Sequence, residues 1–430
     1  MTTYFIRRIL LMFPTFLGST ILVFIILQMA PGGPLEQAIQ RIQMGAAAEG
    51  EAGGSASADI SSGGGAVLPA SALKELKRYY GFDKPIWARY LIWLGLYPRE
   101  TRYREIKFKP DQFEISKRVG KRDGKTWKVL IRRDEQDDLI VFEDDDSPSS
   151  IWSAIIEETD EAGQLTGIVY QKKFSGIFTG NLGESYTYQM PVTEVMKPRF
   201  KISLFFGLTG MFLSYIVCIP LGIRKALAHG SPFDFASSVI IFVAYSIPGW
   251  ALGGVFLVLF GGGSFWDVFP LGGFRSPMAV WETLSLWGKI VDQLHHAILP
   301  IFAWSIGSFA GMTVLMKNGL LENMSQDYIR TAFAKGLSEK RVVWLHAIRN
   351  SIIPIASGIG GSIGVIIAGS YFIEKVFNID GFGRLGYQAI LDRDYPITLA
   401  FLVIVVLIRL VGNIISDITL ATVDPRIRFK

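Results

Sequence analysis

The run ISLFFGLTGMFLSYIVCIPLGI, Ile202 to Ile223, holds no charge and is closed by Arg224 and Lys225. A bilayer's hydrocarbon core is about 30 Å thick and takes about 20 helical residues to cross, so this stretch reads as a membrane-spanning helix with a basic pair at one end. Five further stretches read the same way: Ile9–Ala30, Phe235–Phe260, Ala297–Met316, Ile352–Val376 and Ile397–Leu420. Together they predict an all-α polytopic membrane fold with six transmembrane helices. The composition agrees, because 50% hydrophobic residues, 19% charged residues and a mean hydropathy of +0.34 over 430 residues exclude an ordinary water-soluble enzyme. The single cysteine, Cys218, rules out an intrachain disulfide framework and any multi-cysteine metal site, and inside an apolar run it reads as packing. Arg7 and Arg8 before the first stretch also suit a signal peptide. That stretch is too long for a signal peptide's apolar region, however, and it ends in Ala30-Pro31-Gly32-Gly33-Pro34 with no clean cleavage site, so a retained helix is expected.

Six spans place both termini on one side. With the termini cytoplasmic, the short inside loops carry 13 Lys and Arg, among them Arg7, Arg224, Lys225, Lys317, Lys340 and Arg349, against only Arg275, Lys289, Arg384 and Arg393 outside. The positive-inside rule therefore predicts cytoplasmic termini and puts residues 31–199 on the outer face. The outer segment is charge-balanced, with 23 Lys and Arg against 25 Asp and Glu. The remaining positive excess flanks apolar runs rather than forming one basic tract, which points to a membrane and not to nucleic acid.

The chain divides into 1–34, the first helix; 35–97, a linker with short amphipathic helices; 98–175, a small extracytoplasmic α+β insertion; and 176–430, a core with five helices and a cytoplasmic loop at 317–351. Residues 45–66 are Gly-, Ala- and Ser-rich, the composition of a flexible linker. In the insertion, strands are expected at Phe113–Val119, Trp127–Ile131, Leu139–Phe142 and Gly167–Tyr170, with a helix around Ser149–Glu158. Gly124-Lys125-Thr126 imitates the end of a phosphate-binding loop, but the first glycine is replaced by Val119 and the run joins two strand-like segments, so it reads as a hairpin turn. The acidic cluster Asp137, Asp138 and Glu143–Asp146 lacks the spacing of a calcium loop and reads as solvated turns.

The strongest functional signal lies between the fourth and fifth stretches. Tyr328-Ile329-Arg330-Thr331-Ala332 leads through Ala334-Lys335-Gly336-Leu337 to His346-Ala347-Ile348-Arg349-Asn350-Ser351 and Pro354. The small residues and the glycine suit a helix, a break and a second helix turning back to the membrane. This resembles the coupling loop of dipeptide and oligopeptide ABC-transporter permeases. Three more stretches resemble the same family: Phe5–Leu10 with Ala30–Pro34, Glu374–Leu385 with Arg393–Pro396, and Asp417 with Val423–Arg426. The Pro-Gly-Gly-Pro form, together with Ser214 and Pro220–Ala226, is most similar to the B-type permease branch of Yej peptide importers. Arg330 and Thr331 replace the Glu-Ala of the general loop, so no acidic contact is carried over at that position.

The resemblance implies the type I importer (MetI-like) fold and a permease that moves dipeptides or oligopeptides. It also implies a second homologous permease, cytoplasmic ATPase subunits, an extracytoplasmic peptide-binding protein and a peptide substrate. The chain itself has neither a complete phosphate-binding loop nor a Leu-Ser-Gly-Gly-Gln signature, so no cofactor is expected on it, and ATP with magnesium belongs to the ATPase partner. On the resemblance, Arg330, Thr331, Ala332, Ala334, Lys335, Gly336 and Leu337 form the coupling site. From the residues alone, Gly360, Gly361 and Gly364 suit close helix packing against the partner permease, and Arg409, the one basic residue well inside a span, is a candidate for the translocation path. Trp304 and Ser305 read as packing. His295 and His296 point about 100° apart on a helix and do not make a metal pair. The alternatives are an ion-gradient transporter, which has no need of the Gly336 knob, and a membrane receptor with an external sensing module.

Overall fold

The computed structural model describes residues 2–39, 70–79, 81–122, 125–134, 138–143, 147–159, 164–263 and 265–423. The linker 45–66, Gly124, Asp137, Asp144–Asp146 and Asp424–Arg426 lie outside them. The chain forms two units, one from residues 1–29 and 184–430, the other from 30–183.

The first unit is helical. Its principal helices are α1 (Thr2–Met29), α2 (Val192–Leu227), α3 (Pro232–Ser246), α4 (Gly249–Phe260), α5 (Leu286–Met324), α6 (Asp327–Ala334), α7 (Ile353–Ala368), α8 (Tyr371–Val376), α9 (Phe382–Leu391) and α10 (Tyr395–Val423). Four helices, those containing α1, α2, α5 and α10, are each long and apolar enough to cross a membrane alone, and two bent pairs raise the number to six if each pair is one span. The first bent pair corrects the expectation of a continuous helix over Phe235–Phe260. The chain turns by 96° between α3 and α4. The cause is Pro248, which has no N–H to continue α3 and which pushes Ile247 into extended backbone at φ −97°, ψ 124°. The second pair, Glu339–Ser351 and the start of α7, is bent by 42°. The predicted fifth stretch is also interrupted, because Gly369 at φ +75° ends α7 before α8 begins.

Missing side chains let the long helices approach. A Cβ on Gly210 would lie 2.5 Å from the Trp304 ring, and one on Gly222 would lie 2.7 Å from Met316, so α2 and α5 touch at these glycines. The lower end of α10 is tied to α1, where Arg8 pairs with Asp417 at 2.7 Å and Tyr4 donates to the same carboxylate at 3.2 Å. Its upper end is capped by Asp394, which is 1% exposed and accepts from Ile397 N–H at 3.3 Å, Thr187 N–H at 3.1 Å and the Ser185 hydroxyl at 2.5 Å.

The second unit contains helices Ala70–Tyr79 and Ile86–Leu94, then six strands: β1 (Arg99–Phe108), β2 (Glu114–Arg122), β3 (Lys125–Arg133), β4 (Leu139–Phe142), β5 (Trp152–Thr159) and β6 (Leu165–Lys173). They make two antiparallel sheets, β1-β6-β5 and β2-β3-β4. Inward residues of both sheets, including Phe108, Val129, Ile131, Trp152 and Val169, form one core, with Trp127 edge-on to Trp152 at 5.4 Å. Four strands match the expectation. The helix expected at Ser149–Glu158 is instead β5, whose Trp152 pairs opposite Gln171 and is 1% exposed, so burial in the sheet overrides the local helix preference of Ala154 and Glu157. The charged run Arg99–Phe108 gave no strand signal, yet it forms β1, because Ile106 and Phe108 alone anchor it to the core. Between Arg99 and Lys173 the described residues contain strands and no helix, which corrects the α+β expectation. The imitation phosphate loop opens a strand, with Arg122 opposite Lys125. The preceding helix belongs with the sheets, since Lys74 and Arg78 both pair with Glu157.

Candidate coupling face and translocation residue

Helix α6 is amphipathic, and the split between its faces is what builds the site. Ile329 (1% exposed) and Ala332 (7%) face inward onto Ile223 and Ala226 at the end of α2, Met316 and Leu320 at the end of α5, and Val342, Ala347 and Ile355 from the returning helices. This closed hydrophobic cluster fixes α6 to the bundle. At its end Gly336 takes φ +79°, its N–H bonds the carbonyl of Phe333 at 2.9 Å, and Leu337 N–H reaches back to the carbonyl of Ala332 at 3.3 Å. That pair of bonds satisfies the terminal carbonyls of the helix and turns the chain sharply, and Leu337 packs on the same cluster.

Of the seven coupling-loop residues predicted, Arg330, Thr331, Ala334, Lys335 and Gly336 are exposed. Ala332 is not. Its small side chain lets α6 lie close to its own bundle, so it positions the knob and is not part of the presented face. Alongside the exposed residues stand large apolar side chains that the motif did not single out as contacts: Tyr328 at 37%, Phe333 at 42%, Trp344 at 58% and Leu345 at 58% exposure. The signal was present as four bulky apolar residues in a loop read as polar. Arg330 and Asp327 come within 3.5 Å but are both solvated, so their attraction contributes little.

Behind this face lies a cluster of buried charge that the sequence analysis missed. Lys225, 1% exposed, donates to the Asp234 carbonyl at 2.8 Å and to the hydroxyls of Ser237 at 2.7 Å and Ser238 at 2.8 Å, and its ammonium lies 3.1 Å from the Asp234 carboxylate. Lys317 donates to both carboxylate oxygens of Asp234 at 2.8 Å. One acid therefore joins the ends of α2, α3 and α5. In the sequence both lysines stand among the loop charges with no visible partner, although Asp234 is the only acid between the second and third apolar stretches. Replacing Asp234 by Asn leaves two ammonium groups with no countercharge. The expected outcome is a lower thermal unfolding midpoint in detergent, partly recovered by the double change Asp234→Asn with Lys317→Gln, as a thermal-shift double-mutant cycle would show.

At the other end of the bundle Glu374, 5% exposed, accepts from the Ser203 hydroxyl at 2.7 Å and from Arg384 N–H at 2.6 Å, while Ser203 accepts from Phe382 N–H at 2.7 Å. Its carboxylate thus serves the start of α9 and ties it to α2 and α8. His296 leans on the Asp292 carbonyl at 2.9 Å and His295 on that of Val268 at 2.7 Å. Trp304 and Ser305 pack on Gly210.

The three glycines of α7 do not act together. A Cβ on Gly360 would lie 1.8 Å from the carbonyl oxygen of Gly412, and one on Gly364 would lie 3.8 Å from Arg409. Both face α10 of the same chain, which corrects their assignment to a partner subunit; intrachain backbone contact is what Gly360 permits. Gly361 has nothing within 4 Å and stays available to a partner. Arg409 sits midway along α10, is exposed, and makes no hydrogen bond or ion pair with any described residue.

Residues 218–429, which hold α6, the buried acid and α10, match the family described as the binding-protein-dependent transport system inner membrane component. Over its full length the chain is 34% identical to the inner membrane ABC transporter permease protein YejB of Escherichia coli O157:H7, covering 100% of both. It belongs to this family. The permease is also 30% identical to the peptidoglycan transport system permease protein YejB of Agrobacterium fabrum (strain C58 / ATCC 33970), covering 100% of this chain and 99% of that one. Its similarity to the oligopeptide transport system permease protein AppB of Bacillus subtilis (strain 168), 34% identical, covers 61% of this chain and 80% of that one. The permease is a multi-pass membrane subunit without catalytic activity of its own.

Proposed function

We propose that this permease subunit of a peptide ABC importer crosses the cytoplasmic membrane six times, with both termini and the Gly336 knob in the cytoplasm and residues 31–199 outside. The single observation that carries the mechanism is the split of α6: one face is locked into the bundle through Ile329 and Ala332, while Arg330, Phe333, Ala334 and Lys335 are presented outward. A separate ATPase grips that outer face. When ATP draws the ATPase pair together, α6 moves as a rigid lever and carries α2 and α5 with it, because the hydrophobic cluster and the Lys225–Asp234–Lys317 link join them. ATP and magnesium are used by that partner. A second, homologous permease completes the path, and an extracytoplasmic binding protein delivers the peptide. The names of the relatives, oligopeptide transport for the Bacillus subtilis permease and peptidoglycan transport for the full-length Agrobacterium one, favour peptides or peptidoglycan-related compounds as the substrate class.

The test is affinity purification of the detergent-solubilised chain from its own host, followed by mass spectrometry. Recovery of a second permease together with an ATPase is expected. Recovery of the chain alone, under conditions that preserve a control ABC assembly, would sink the proposal and favour ion-gradient transport.

A further inference from the structure

We propose that Arg409 is a binding residue in the translocation path that takes the C-terminal carboxylate of the passing peptide, over a floor formed by Gly361 and Gly364. The inference rests on the importer reading above and deepens it.

Arg409 stands at the middle of the 29-residue helix α10. The Arg8–Asp417 ion pair marks the proposed cytoplasmic end of that helix and lies eight residues further on, about 12 Å along the axis at about 1.5 Å per residue. Side chains on a helix lean toward its N-terminus, and α10 starts at the proposed outer face. The guanidinium is therefore directed away from the nearer interface, so snorkelling to cytoplasmic water is disfavoured. A charged side chain at the bilayer centre is costly, and such residues face the interior of a bundle or a wet cavity rather than lipid.

No described residue neutralises it. Arg8 already holds Asp417, and Lys225 and Lys317 hold Asp234, so neither of these acids is free to pair with it. The Arg409 backbone and Cβ lie 3.8 Å from where a Cβ on Gly364 would be, and Gly361, one turn away on the same helix, has open space in front of it. A cation beside bare backbone leaves room for an extended chain. Every unmodified peptide carries one carboxylate at its C-terminus whatever its side chains, and a guanidinium binds a carboxylate in a bidentate manner. One fixed arginine thus recognises a peptide without reading its sequence.

The experiment uses the complete assembly reconstituted in proteoliposomes, with saturating binding protein and a defined pool of tri- to pentapeptides supplied as free acids and as C-terminal amides. Uptake is read by mass spectrometry. Arg409→Gln is expected to lower free-acid uptake at least tenfold with little change for the amides, while the second permease and the ATPase still co-purify. Arg409→Lys should restore at least half of the free-acid uptake. Normal free-acid uptake by Arg409→Gln overturns the proposal. So does an equal loss for acids and amides, or loss of the second permease from the purified variant, which would make Arg409 the partner of an acid on that subunit. If the wild-type assembly moves neither pool, it is the importer reading that fails.

Discussion

Gly360→Ala is expected to destabilise this protein sharply, although it adds one methyl group. The new Cβ would sit 1.8 Å from the Gly412 carbonyl oxygen, where the obstacle is backbone and cannot rotate aside. The reciprocal change is nearly as tight, since a Cβ on Gly412 would lie 2.4 Å from the Gly360 carbonyl. Overpacking of this kind typically costs about 1–3 kcal/mol or more, and here the only relief is to drive α7 and α10 apart along their seam. The hydrogen bond that the Ser416 hydroxyl donates to the Ser357 carbonyl, one turn along, would be lost with it. Membrane yield and the thermal midpoint in detergent should both fall sharply for Gly360→Ala and for Gly412→Ala. Gly361→Ala supplies the contrast: with nothing within 4 Å, its effect on the isolated chain should stay within about ±0.5 kcal/mol. Recovery of the second permease from that variant then reports whether Gly361 meets the partner. Equal tolerance of alanine at 360 and 361 would contradict the packing described.

The second large effect concerns function rather than folding. Gly336→Asp should leave a folded, membrane-inserted chain that no longer retains an ATPase. At φ +79° an L-residue pays roughly 1–2 kcal/mol, and Asp tolerates that region better than a β-branched residue would. The strain falls on a surface turn, where open space surrounds the glycine, so the core beneath it survives. What changes is the presented face: a negative charge appears at its tip, and the turn that directs Ala334 and Lys335 outward is loosened. Co-purification measured by mass spectrometry should show the second permease retained and the ATPase lost, with peptide uptake reduced at least tenfold. Retention of both partners with normal uptake would remove Gly336 from the coupling site.

Much of this molecule is legible in its sequence. Runs such as Ile202–Ile223 dictate a membrane helix because unpaired backbone cannot be left in hydrocarbon, and the requirement is local, so composition and length suffice. The break after α6 was legible too, because only glycine takes a positive φ cheaply and Gly336 stands where the apolar period stops. Even the 96° turn at Pro248 was written in the chain, though hydropathy averaged over the window hid it. What tertiary structure alone decided were the pairings between distant residues. Asp234 is one acid among many until three helix ends bring Lys225 and Lys317 to it. Gly360 and Gly361 are neighbours with the same side chain, and only their rotation about α7 sends one onto Gly412 and the other into open space. Ala332 belongs to the coupling motif but faces inward, and Trp152 lies in a stretch that reads as helix until a sheet buries it. Helix formation in a bilayer is settled within about 20 residues, whereas packing depends on which face of each helix or strand meets a partner hundreds of residues away.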